Sequence, residues 1–258
     1  MNAADDEPPQ VPIWPKVMFV ASALAAALLL RETWQNPVVG VLALALAGSF
    51  WLARFVARRR AKQLFLGGNV DAIVARWSGA VSSMPHFETM GPLMAATAFA
   101  AYGWVTRARA AMREADRGEA WEAALEQRLF LDTLLYAFEG DSATALDRAA
   151  RLERLPMPPA APPLVGRIRL LREGAAALAR AFAHAGRTGD TSLLVAASEA
   201  SPLVHWAMRY GAAISAIDAG DVGKARELIA LAPKWSEESC FLEFHREIDA
   251  ELTRRESC

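Results

Sequence analysis

Apolar residues fall along this chain in two regimes. From Ile13 to Leu30, and again from Pro37 to Ala57, they run almost without interruption, with Lys16 the one charge in the first stretch and Arg54 the one charge in the second. Both stretches are apolar on all sides rather than along one stripe, the pattern of a helix facing lipid. Eighteen residues at about 1.5 Å each reach about 27 Å, close to the ~30 Å hydrocarbon core of a bilayer. Lys16 and Arg54 stand where long stems reach the headgroups, and Trp14, Trp34 and Trp51 stand near the expected interfaces. The pattern predicts a two-helix transmembrane hairpin over 13–57, closed by the short connection Arg31–Asn36. The tail before it, Met1–Pro12, combines acidic residues with three prolines and has little to bury, which predicts disorder.

From about residue 58 the apolar positions take the helix period, with few alternations of the strand type, so the rest of the chain is predicted to be all-α. Its punctuation recurs. Gly68-Asn69, Gly140-Asp141, Gly189-Asp190 and Gly220-Asp221 are each followed by a small alanine or serine region and then by a proline, at Pro85, Pro156, Pro202 and Pro233. A glycine takes the left-handed turn after one helix, Asx starts the next, and the proline ends it. Leu155–Pro163 holds five prolines in nine residues and reads as a stiff connection over 156–163 between a proximal half, 58–155, and a distal half, 164–258.

Trp77, Ala80 and Pro85 after Gly68, Tyr136 and Ala145 around Gly140, and Ala225 after Gly220 stand at the spacing of the tetratricopeptide repeat, which this part of the chain resembles. The resemblance implies stacked antiparallel helix pairs forming an α-α superhelix with a concave face for a protein partner. An irregular helical bundle, in which Gly-Asx merely marks helix ends, accounts for the same punctuation.

Charge narrows the partners. The chain carries a net −1, and beyond Lys62 it has 21 basic against 25 acidic residues, so nucleic acid is not an expected partner. The basic residues concentrate at Arg54, Arg58, Arg59, Arg60 and Lys62, directly after the second span. The positive-inside rule keeps such a cluster cytoplasmic, and with it both termini of an integral membrane protein with two spans. The same cluster attracts anionic lipid. The two cysteines, Cys240 and Cys258, lack the spacing of a zinc site or redox pair and read as free thiols.

Candidate chemistry is sparse. No phosphate-binding glycine loop, nucleophile elbow or His-Glu-x-x-His occurs, and neither a catalytic residue nor a cofactor is expected. Cys240, Glu243, His245 and Glu247 approach a metal-ligand set, but His245 leaves the helix face of the other three, so the segment reads as a solvated acidic face. Two aromatic clusters, Tyr102 with Trp104 and Phe99, and Trp206 with Tyr210, His205 and Met208, are candidates for lining a peptide groove. Arg167, Arg169 and Arg172 form a candidate basic face for an acidic partner segment. These features point to a membrane-anchored binding or scaffold module. The rival readings are a structural subunit of a larger membrane complex, helped by Gly40, Ala43, Ala45, Ala47 and Gly48 in the second span, and an enzyme with a site between the helical halves.

Overall fold

The computed structural model describes residues 37–81 and 84–256. The tail Met1–Pro12, the first predicted span Ile13–Leu30 with Trp14, the connection Arg31–Asn36 with Trp34, and Cys258 lie outside the described residues. Among the described residues all regular elements are helical. The chain divides into two units, Met1–Arg60 and Ala61–Cys258.

The first helix, α1, runs Pro37–Leu66. Over the part belonging to the first unit, Val38, Val41, Phe50, Trp51, Leu52 and Phe55 are 56–70% exposed, and the Arg59 guanidinium sits 5.3 Å from the centre of the Phe55 ring. Among the described residues no helix is long and apolar enough to cross a membrane. On α1 the side chains of Val39, Leu42, Leu44 and Leu46 are not among those described.

The second unit takes up the end of α1 and continues through α2 (Val70–Val81), α3 (Phe87–Ala101), α4 (Val105–Ala115), a 3-10 turn at Glu122–Ala124, α5 (Leu125–Phe138), α6 (Ser142–Arg154), α7 (Pro162–Phe182), α8 (Asp190–Ala200), α9 (His205–Asp218), α10 (Val222–Ile229) and α11 (Phe241–Glu256). Each helix packs on the next from α2 to α10 except across the longer 116–124 segment. The odd members α3, α5, α7 and α9 also pack side by side, and α9 returns to touch α3. They form an inner layer of helices, with α4, α6, α8 and α10 packed outside it.

The glycine turns build this layering locally. Gly68, Gly140, Gly189 and Gly220 all have positive φ. Asn69, Asp141 and Asp221 cap the following helices, their carboxamide or carboxylate oxygens accepting from the amides of Ala72, Thr144 and Lys224 at 2.9–3.1 Å. Gly189 departs from this pattern: it is itself the residue before α8, and the Asp190 side chain turns back to the Arg180 guanidinium in a two-point contact at 2.7 and 2.9 Å. Close packing uses small residues, since a Cβ on Gly174 of α7 would lie 2.7 Å from the Ala197 methyl of α8.

The proline-rich connection is shorter than the sequence suggests. Pro162 and Pro163 open α7, where the missing amide hydrogen costs nothing, so only Pro156–Ala161 is extended. It does not separate two halves either: α6 and α5 pack on α7 across it, and the unit Ala61–Cys258 is continuous.

The inner layer is closed at its C-terminal ends by the last segment of the chain. Phe241 lies fully buried and meets Tyr210 of α9 stacked at 4.9 Å, Trp235 edge-on at 5.1 Å and Phe138 of α5 edge-on at 5.3 Å. Phe244 reaches Phe182 of α7 at 5.1 Å. The Cys240 amide donates to the Gly103 carbonyl and Ser239 Oγ to the Tyr102 carbonyl, which ties the segment to the end of α3. A Cβ at Gly103, whose φ is +75°, would collide with Cys240 Sγ at 2.8 Å.

Two outcomes follow. Phe241→Ala removes the ring at the centre of this closure and is expected to cost about 3–5 kcal/mol, read as a lowered urea midpoint of the full chain, while Leu231→Ala, 81% exposed, leaves it unchanged. Burial favours the neutral form of Asp190, but the Arg180 hydrogen bonds and the Arg187 amide outweigh it, so its carboxyl lies below the usual range. Its stabilisation is therefore complete above the unfolded carboxyl pKa and is lost as pH falls through the lower folded value. The stability of Asp190→Asn should change less over that acidic window than that of the unaltered chain.

Candidate functional site

The aromatic residues expected to line a peptide groove lie inside the protein. Tyr102 and Tyr210 are fully buried, Trp206 is 2% exposed and Trp104 9%. The polar atoms of Tyr102, Trp206 and Tyr210 are used within the chain. Tyr102 Oη donates to the Phe65 carbonyl at 2.5 Å and Trp206 Nε1 to the Leu66 carbonyl at 3.1 Å, satisfying the last two carbonyls of α1, which no further helical turn can reach. Tyr210 Oη accepts from Trp235 Nε1 at 2.7 Å and faces His245 Nδ1 at 2.9 Å. Trp104 stacks on Phe99, and the Arg107 guanidinium covers both rings. A partner would have to unfold the core to touch these groups. Phe241 and Phe244 of α11 pack on Phe138, Phe182 and Tyr210 of the inner helices and cover that side of the layer.

The three arginines of the candidate basic face separate. Arg167 and Arg169 are exposed. Arg172 is 3% exposed and binds the chain itself: Nε donates to Glu126 at 2.9 Å, and its two terminal nitrogens donate to the carbonyls of Leu155 at 2.7 Å and Pro156 at 3.2 Å. It is the clasp that holds the proline-rich connection against α7.

The most apolar open surface lies at the opposite, N-terminal ends of α3, α5 and α7. There a groove of about 580 Å³ is lined by Met90, Phe130, Leu152, Ile168 and Leu171, with Glu126, Gln127 and Arg172 among its polar residues. On the other side of α3 a second cleft of about 480 Å³ runs over Val74, Trp77, Phe87, Pro92 and Met94, with Glu88, Glu114 and Arg117 also in its lining. Large apolar side chains stand exposed nearby in the chain: Met84 and Phe87 at the entry to α3, Leu125 at the first turn of α5 and Leu164 at the first turn of α7.

The sequence builds this groove from an apolar stripe that outruns its helix's packing. Leu164, Ile168 and Leu171 repeat at four and three residues along α7; the stripe goes from half-buried at Leu171 and Ile168 to exposed at Leu164. The 116–124 segment supplies the other wall, held by Thr89, whose Oγ1 accepts from the Ala120 amide at 3.3 Å. A Cβ on Gly118 would fall 2.1 Å from that same Oγ1, so only glycine passes there. Three polar residues of the groove are engaged within the chain, while His86 stands exposed in its lining. Arg172 and Glu126 hold each other, and Gln127 donates to Thr97 Oγ1 at 3.0 Å. Sequence reading missed Met90, Phe130, Ile168 and Leu171, because the period that marks a core stripe does not tell where the core ends.

Among the described residues no three His, Cys, Asp or Glu side chains gather into a metal site. Burial pushes the Cys240 thiol up to about 12, which removes it as a nucleophile at neutral pH. His245 has Tyr210 on one side and Asp249, at 3.5 Å, on the other. Compared with known proteins, the chain matches no family model, no curated protein and no solved structure.

Arg172→Met should cost about 2–3 kcal/mol by leaving two carbonyls without donors and should expose residues 155–161 to limited proteolysis. Glu126→Gln, at a carboxylate 42% exposed, should cost under about 1 kcal/mol.

Proposed function

We propose that this chain is a membrane-anchored protein-binding module: a helical hairpin over residues 13–57 holds it in the bilayer, and the unit from Ala61 offers the groove across α3, α5 and α7 to an amphipathic helix of a protein partner at the cytoplasmic face. The carrying observation is a groove that is open and mostly apolar, with Arg172, Glu126 and Gln127 in its lining already hydrogen-bonded within the chain. A small polar ligand needs convergent donors and acceptors to orient it. An apolar helix stripe needs none, and docks by filling such a groove at spacings of three and four residues. Arg167 and Arg169, exposed on either side of Ile168 in the chain, favour an occupant whose stripe is flanked by acidic residues.

The anchor is supported by the apolar composition of Pro37–Ala57, with Arg54 its one charge, and by the exposure of six large apolar side chains along α1, a surface that water solvates poorly. The cytoplasmic orientation is supported by the basic residues that follow the span. Anchoring concentrates the groove with any partner held on the same membrane, so modest intrinsic affinity suffices. The Gly-Asx turns and the fully buried Ala145 and Ala225 between paired helices support a tetratricopeptide-like origin of the stacking.

A photo-reactive residue in place of Leu164 should crosslink in cells to one protein, at a segment that mapping identifies as an acidic-flanked amphipathic helix. The same residue in place of the exposed Glu227 on α10 should not. Arg167→Glu combined with Arg169→Glu should lower the yield about tenfold. Equal crosslinking from both positions, or a captured segment without an apolar stripe, would sink the groove reading. Orientation is read with a membrane-impermeant thiol reagent on Cys258, with Cys258→Ser as the control that subtracts any labelling of the half-buried Cys240. Protection until the membrane is opened is the expected result, and labelling of intact cells would reverse the topology.

A further inference from the structure

We infer that α1 carries, directly beyond its apolar length, a collar that selects anionic phospholipid headgroups; the inference rests on the membrane-anchor reading above. Arg54, Arg58, Arg59, Arg60 and Lys62 occupy nine consecutive positions of one continuous helix. At about 100° and 1.5 Å per residue, Arg54, Arg58 and Lys62 share one side of the helix axis, and Arg59 and Arg60 turn to the others. The positions encircle the helix over a height of about 12 Å. The headgroup layer of one leaflet, about 5–8 Å deep, is shorter than that by no more than the reach of an arginine stem.

The collar has no acidic counterweight on its own helix. Not one Asp or Glu occurs between Glu32 and Asp71, so the five cations have no intrahelical carboxylate at three or four residues to pair with. The arginines whose side chains are described, Arg54, Arg59 and Arg60, are exposed. Just before them, Trp51 is 70% exposed, Leu52 64% and Phe55 56%, and the Arg59 guanidinium lies against the Phe55 face. An amphipathic indole, two apolar side chains and then the exposed Arg59 and Arg60 follow the polarity gradient from acyl chain to phosphate. Guanidinium matches a phosphodiester by two-point hydrogen bonding, which an ammonium cannot do. Positive charge explains retention on the cytoplasmic side during insertion. Four arginines arranged around the helix at headgroup depth add selectivity among the lipids of that leaflet, where each basic residue near an anionic surface is worth about fivefold.

The test reconstitutes the full chain in phosphatidylcholine vesicles holding 30% phosphatidylglycerol, and compares the motionally restricted fractions of spin-labelled phosphatidylglycerol and spin-labelled phosphatidylcholine. The expected ratio of association constants is at least about fivefold in favour of phosphatidylglycerol, falling towards one in Arg59→Glu/Arg60→Glu and in 0.5 M NaCl. These two positions are exposed, so the paired variant should keep its helical circular dichroism. A ratio of one in the unaltered chain, with a restricted component present for both lipids, overturns the collar and leaves the anchor standing. No restricted component for either lipid, together with failure to float with vesicles, overturns the anchor and the collar with it.

Discussion

The helical unit depends on one constraint: an inner layer of four helices has an inner face, and that face must be covered. α3, α5, α7 and α9 bring Tyr102, Phe138, Phe182 and Tyr210 towards one end of the layer, and the chain covers them with its own segment Trp235–Phe244 rather than leaving them to a partner. Trp235, Phe241 and Phe244 supply apolar area, and edge-to-face and offset contacts between the rings add about 0.5–1.5 kcal/mol per pair beyond that area. Trp235 and Ser239 also satisfy the polar atoms that come with it, one at the Tyr210 hydroxyl and the other at the Tyr102 carbonyl. Remove this segment and the layer has a wet aromatic wall, with α1 capped by two residues, Tyr102 and Trp206, whose own packing has gone.

This constraint also explains where a partner surface is available. Helical stacks offer a groove on the side their side chains do not fill. Here the C-terminal ends of the inner helices are closed, so the groove survives at their N-terminal ends. It is bounded by the two least regular pieces of the unit, the 116–124 segment and the Pro156–Ala161 connection, each fastened by one buried polar residue, Thr89 and Arg172. The charged face anticipated on α7 thereby divides into a fastening arginine and two exposed ones.

Much of the fold was legible in the residues, and the reasons are local. Helix period, Gly-Asx turns and terminating prolines act within one or two turns of chain, so the all-α class and the turns at Gly68, Gly140 and Gly220 could be read directly. Pro162 and Pro163 misled because a proline that ends one helix also starts one. The site was harder. Tyr102, Trp206 and Tyr210 look like groove residues in sequence because amphipathic rings suit both interfaces and cores, and the choice between them is made by partners 25 to 140 positions away. Asp190 resembles the capping aspartates at 141 and 221, yet its partner is a guanidinium ten residues back, available only once α7 and α8 have met.

The Trp206 to Leu66 and Ser239 to Tyr102 hydrogen bonds join positions separated by 140 and 137 residues. That separation sets a clock on synthesis. At roughly 5–20 residues per second, a ribosome takes on the order of 10–30 s to travel from the end of α1 to the residues that cap it. Throughout that interval the carbonyl of Leu66 and the inner faces of α3 and α5 are on the nascent chain without their final cover. Local hairpins form early, but the aromatic closure waits for the C-terminal residues to leave the exit tunnel. The chain is thus most exposed to aggregation and to holding chaperones late in its own translation, and a stop codon a few residues before Phe241 would release a product that has made every helix but one and cannot close its core.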